Sequence, residues 1–95
     1  MNIKDLHTED KAVSAISLFK SEKGNATSIR ILKDQLLKEH ITQIPALLVC
    51  INGNVFFENE KGQKVELQPG DYTLIEPMVK HWVKATIDSQ LILFK

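Results

Sequence analysis

Turn-forming residues break the second half of this chain at short, even intervals, and that spacing restricts the fold more than any other feature. Asn52-Gly53 separates Leu47-Leu48-Val49-Cys50-Ile51 from Val55-Phe56-Phe57. Both flanks favour strand, and Asn-Gly suits the positive φ angles of a type I′ hairpin turn. A second turn falls at Glu60-Lys61-Gly62, after which Val65 and Leu67 alternate with Lys64, Glu66 and Gln68. Pro69-Gly70-Asp71 stops that strand and starts another from Tyr72 to Ile75, which Pro77 ends. His81 to Ala85 and Leu91 to Phe94 read as two further strands. Turn signals roughly every 8 to 12 residues predict an all-β sandwich or barrel.

The N-terminal third carries a mixed pattern. Ala12, Ala15, Ile16 and Phe19 fit one helical face, while Val13, Ile16, Leu18 and Phe19 fit a strand, so residues 9–20 stay open between the two. Ile29 and Ile31 alternate with Arg30 and Leu32. This predicts a strand from Ser28 that runs on toward His40, with Gly24-Asn25 as the turn before it. With 95 residues the chain makes one domain, divided into an N-terminal segment (1–25) and a barrel (26–95).

On the strand before Asn52, Ala46, Leu48 and Cys50 face one way and Leu47, Val49 and Ile51 the other. A strand apolar on both sides is buried on both sides. One side can be the interior; the other needs another sheet, the N-terminal segment or a second subunit as cover. So short a chain has little left to cover it, which points to a homodimer whose interface the N-terminal segment could join. The 12 Lys+Arg balance the 12 Asp+Glu, and the lysines are scattered. That argues against nucleic acid or a membrane surface as partner. The residues after Met1 lack the apolar core of a signal peptide, so the cytoplasm is the expected compartment.

From Asp34 to Ala85 the chain resembles the cupin superfamily, small barrels of the jelly-roll or double-stranded β-helix type. The first cupin motif, G-x5-H-x-H-x3-E-x6-G, is matched in spacing by Asp34, His40, Thr42, Ala46 and Gly53. The second, G-x5-P-x-G-x2-H-x3-N, is matched by Gly70, Glu76, Met78, His81 and Ala85. The resemblance implies a single cupin barrel. It also implies that His40 and His81 occupy two of the four positions that hold a divalent transition metal in metal-binding cupins. Thr42 stands where the second histidine would be and Ala46 where the glutamate would be. Two imidazoles alone make a weak centre, because catalytic metals normally take three protein ligands. Cys50 would complete a His2Cys set, or it is a small buried apolar residue. The cofactor expectation is therefore none, or one divalent metal on His40 and His81.

Three functions follow. The first is a non-catalytic module binding a small molecule in a lumen lined by His40, Thr42, Leu48, Cys50, His81 and Val83. The second is a metal-dependent cupin enzyme, of dioxygenase or isomerase type, with a reduced His40/His81 site. The third is a structural or interaction dimer. Whether the chain is an enzyme stays open at this level. Trp82 points away from His81, toward core or interface. Glu76 reads as a solvated loop residue, and so does His7 in the polar N-terminal segment. No G-x-S-x-G elbow, phosphate loop, H-E-x-x-H or paired-cysteine pattern is present.

Overall fold

The computed structural model describes residues 1–95. A short 3-10 turn (Ile3–Asp5) precedes nine strands: β1 Val13–Ser21, β2 Gly24–Ile31, β3 Leu36–His40, β4 Ala46–Asn52, β5 Val55–Asn59, β6 Lys64–Leu67, β7 Tyr72–Ile75, β8 His81–Ala85 and β9 Ser89–Phe94. All pairings are antiparallel, in a five-stranded sheet of order β1-β2-β9-β4-β7 and a four-stranded sheet of order β3-β8-β5-β6. The all-β jelly-roll expectation holds. No helix is long and apolar enough to cross a membrane.

The N-terminal third decides one open reading and departs from expectation in two places. Residues 13–21 form strand, because pairing with β2 from Val13↔Ile31 to Ser21↔Gly24 satisfies a backbone that a lone helix would leave unpacked. The hairpin reverses at Glu22-Lys23 rather than at Gly24-Asn25, so β1 and the start of β2 belong to the barrel sheet and not to a separate segment. The strand from Ser28 does not run to His40. Asp34 adopts a left-handed backbone (φ 64°), Gln35 N donates to Leu32 O (3.0 Å), and the chain crosses to the other sheet as β3.

Between the sheets lies one apolar core. Ile29, Ile31, Leu48, Cys50, Ile75 and Leu91 come from the larger sheet, and Val55, Phe57, Leu67, Val83 and Ala85 from the smaller. Alternation then sends the other residues of the larger sheet outward, and register sets them in rows. One row runs Tyr72, Val49, Ile92, Ser28 and Ile16; the next runs Leu74, Leu47, Phe94, Ala26 and Phe19.

His7 is not a solvated surface residue. It is buried against that outer side, with Nδ1 2.8 Å from Ser14 Oγ and Nε2 2.9 Å from Ser28 Oγ. The two hydroxyls can each donate or accept, so either neutral tautomer is satisfied. Burial, and then the positive charge of Arg30, push the ring below the usual histidine range. The Arg30 guanidinium donates to three carbonyls of the arm: His7 O (3.1 Å), Glu9 O (2.6 Å) and Lys11 O (3.3 Å). Residues 1–12 are thus an arm tied across the β1–β2 half of the outer face.

Candidate functional site: a histidine pair at one end of the barrel

His40 ends β3 and His81 begins β8, and the two are register partners in the four-stranded sheet. Along β8, His81, Val83 and Ala85 point inward. On β3, plain alternation from the half-buried Leu37 would turn His40 outward. The register instead shifts between Leu37 and His40, three residues on β3 opposing two on β8. This extra residue is a β-bulge, and it re-aims the His40 ring. The imidazoles meet edge to face, centroids 4.1 Å apart at 63°, with Nε2 to Nε2 at 3.0 Å.

Hydrogen positions on the pair follow from counting. His40 Nδ1 lies 3.0 Å from Lys38 O and His81 Nδ1 lies 3.3 Å from Val79 O. Carbonyl oxygens only accept, so both contacts need a hydrogen on nitrogen, and the Nε2–Nε2 contact needs a third. Two neutral imidazoles bring two. Burial, and then the charge of His40, hold His81 below the ordinary histidine range. With both rings neutral the three contacts are one hydrogen short, and with one ring charged all three are satisfied.

Around the pair, Thr42 is buried and its hydroxyl has no partner. Its carbonyl accepts from Met78 N (2.8 Å), which ties the loop after β3 to the loop before β8. Glu60 Oε2 accepts from Lys80 N (2.6 Å), and Glu60 N donates to Lys80 O (2.9 Å). The exposed Glu76 pairs with Lys61 at 2.8 Å. Phe57 stacks on His81 from the core side at 5.6 Å.

Asp34 and Met78 stand at two motif glycine positions, and they are the non-glycine residues with positive φ, both at 64°. The backbone of both turns has kept a conformation that side chains resist by about 1–2 kcal/mol. Met78 is largely exposed, so its side chain repays little of this. Met78→Gly is expected to raise stability by about 1 kcal/mol in urea denaturation; a loss of stability would mean that the thioether anchors the loop.

Not every residue expected at the site reaches it. Leu48, Cys50 and Val83 are 2%, 0% and 1% exposed and belong to the packed core, so they fill the interior rather than line an open lumen. Cys50 lies four residues beyond Ala46 on β4, about 13 Å along the strand. Its thiol donates onward to Asn52 O (3.7 Å), and burial together with the Asp71 charge raise its pKa. Trp82 is half-buried on the outward side of β8. Sequence reasoning missed the β3 bulge, for which no residue gave a signal, and the buried role of His7.

The metal implied by the resemblance does not fit as a resident ion. Two bonds of about 2.1 Å at right angles would place nitrogens about 3.0 Å apart, which suits the imidazoles. Beyond them the donor set ends. Ala46 has no donor, Thr42 offers a neutral hydroxyl, and no group of three or more His, Cys, Asp or Glu side chains converges anywhere.

No protein-family model matches the sequence, and no curated protein matches it. Solved structures do. A cupin superfamily protein from Desulfitobacterium hafniense DCB-2 is similar over 98% of this chain and 84% of its own, at 13% identity and a TM-score of 0.85. A cupin-2 domain containing protein from Shewanella frigidimarina covers 100% and 92%, at 13% and 0.81. KdgF from Halomonas sp. covers 92% and 81%, at 19% and 0.78. The chain is a small domain with the cupin fold.

Proposed function

We propose that this domain is a non-catalytic binding module that holds a small hydroxyl- or amine-bearing molecule at the end of the barrel marked by His40 and His81. The observation that carries this reading is the pair of Nε2 atoms 3.0 Å apart with both Nδ1 atoms engaged on carbonyls. With both imidazoles neutral the pair lacks one hydrogen, and an O–H or N–H of a ligand supplies it. A carboxylate brings only further lone pairs and supplies no hydrogen. The packed interior below restricts the ligand to the rim, so size is limited from beneath and not from above.

A thermal-shift panel of sugars, polyols, primary amines and small carboxylates at pH 7.5 tests this. A hydroxyl or amine compound at about a hundred times its Kd should stabilise the domain by about 2.7 kcal/mol. His40→Ala should abolish the shift, and carboxylates should give none. The reading is overturned if no hydroxyl or amine compound responds, or if His40→Ala responds like the parent. About one transition metal per chain, retained through purification without a His tag and lost in His40→Ala, would overturn it in favour of the metal-dependent enzyme.

A further inference from the structure

At the histidine end, the inner faces of the two sheets finish in rows of different character. The four-stranded sheet ends in His40, His81 and Asn59, set side by side by register. The five-stranded sheet ends in the row that holds Ala46. Ala46 opposes Ile75 on β7, and because Leu47 opposes Phe94 on β9, the residue that opposes Ala46 on its other side is Lys95. The ladder runs one residue past β9: Lys95 N donates to Asn25 O (3.0 Å) and Asn25 N donates to Lys95 O (2.6 Å). Alternation places Lys95 on the same face as Leu91 and Leu93, which pack into the core. Residues 41–45 and 76–80 carry the chain between the two rows, and Met78 N donates to Thr42 O where those loops meet, so both rows border one mouth.

We propose that Lys95 makes an anion subsite of this mouth, and that the ligand held by His40 and His81 is a hydroxy acid, a small molecule with a carboxylate a few bonds from a hydroxyl. This rests on the histidine-pair reading above and adds to it the charge of the ligand. At Ala46, where the resemblance places the glutamate of metal-binding cupins, there is no carboxylate, and the cross-strand neighbour carries an ammonium. Lys95 is exposed and belongs to neither ion pair of the molecule, Lys11 with Glu9 and Lys61 with Glu76. Its main-chain oxygen is engaged by Asn25 N, which leaves the side chain unpaired. The charge of Lys95 reaches His81 across the mouth. The charged groups that bear on that ring are His40 and Lys95, both acting as cations, with no carboxylate to offset them. A neutral imidazole pair beside a fixed cation suits a ligand whose hydroxyl donates to Nε2 and whose carboxylate meets the ammonium. Facing sheets stand about 10 Å apart, a gap that a short carbon frame and a lysine side chain span together. Neither group is enough by itself: a polyol leaves the ammonium unpaired, and acetate brings no hydrogen to the histidines.

Isothermal titration of the full chain with gluconate and with glucitol, at pH 7.5 and low salt, compares two ligands that differ only at one terminal carbon. Gluconate should bind about tenfold more tightly. In Lys95→Gln that advantage should disappear while glucitol binds as before, and in the parent it should shrink at high salt, because the ammonium is exposed. Lys95 lies at the end of the ladder and outside the core, and circular dichroism checks that the variant keeps its fold. Lys84→Gln removes the same charge from the outward side of β8 and should keep the preference. Equal affinity for the two compounds, or a preference that survives Lys95→Gln, overturns the inference and leaves the histidine-pair reading standing. No binding of gluconate overturns it as well, and the polyols and amines of the thermal-shift panel then decide the histidine-pair reading separately.

Discussion

Gly53→Ala is expected to cost roughly 3 kcal/mol or more, a large share of the 5–15 kcal/mol that holds a domain together. Gly53 turns the β4–β5 hairpin at φ +98°, where an L side chain is strained. The added methyl would also lie 2.6 Å from Asp88 O and from Ser89 Cα, both main-chain atoms. Neither can retreat cheaply. Ser89 Oγ accepts from Asn54 N (3.0 Å), and Asp88 Oδ1 accepts from Lys33 N (2.8 Å), so the loop before β9 is tied to the hairpin and to the end of β2. The comparison is internal. Gly62 and Gly70 also have positive φ, but a methyl added at either would find nothing within 4 Å. Gly62→Ala and Gly70→Ala should each cost only about 1–2 kcal/mol of backbone strain. Urea midpoints of the three variants give the ranking directly. If Gly53→Ala is no worse than Gly70→Ala, the hairpin and the β8–β9 loop do not approach as described.

The same hairpin shows how far local chemistry reaches. Asn52-Gly53, Pro69-Gly70 and Pro77 each act within a few residues of themselves, so β7 and β8 were readable to the residue, as Tyr72–Ile75 and His81–Ala85. The convergence of His40 with His81 was readable too, because two motif spacings placed both at one end of a barrel. What could not be read depends on distant partners. β1 is strand because β2 lies beside it, and its own residues fit either period. His7 looks solvated in sequence; its burial rests on Ser14 and Ser28, 7 and 21 residues away. The β3 bulge decides that His40 faces inward, yet it arises from pairing with β8 and leaves no mark in Lys38-Glu39. Alternation likewise put Leu48, Cys50 and Val83 on the inner face correctly, but alternation is silent on whether an inner face lines a space or fills it.

Phe57→Ala addresses that last question, and its expected cost is about 3–5 kcal/mol. Phe57 is 1% exposed at the centre of β5, in the same core as the Leu48, Cys50 and Val83 that were expected to border a lumen. In a packed interior its removal leaves a void that Leu48, Leu67 and Val83 cannot collapse into without leaving their rotamers. Phe56, its neighbour on the same strand, is only half-buried and faces outward, where Lys64 Nζ sits 5.2 Å from the ring centroid. Phe56→Ala should cost about 1 kcal/mol. The two substitutions remove the same chemical group from adjacent positions, so their difference reports packing and little else. Phe57 is also the floor beneath His81, stacked at 27°. Without it the buried imidazole can tilt, and the 3.0 Å approach of the Nε2 atoms is lost before the fold is. Ligand-induced stabilisation should then vanish in Phe57→Ala even at temperatures where circular dichroism shows a native sheet. Equal costs for the two variants, with binding retained in Phe57→Ala, would mean that the barrel is hollow beneath the histidines, and that Leu48, Cys50 and Val83 face a ligand after all.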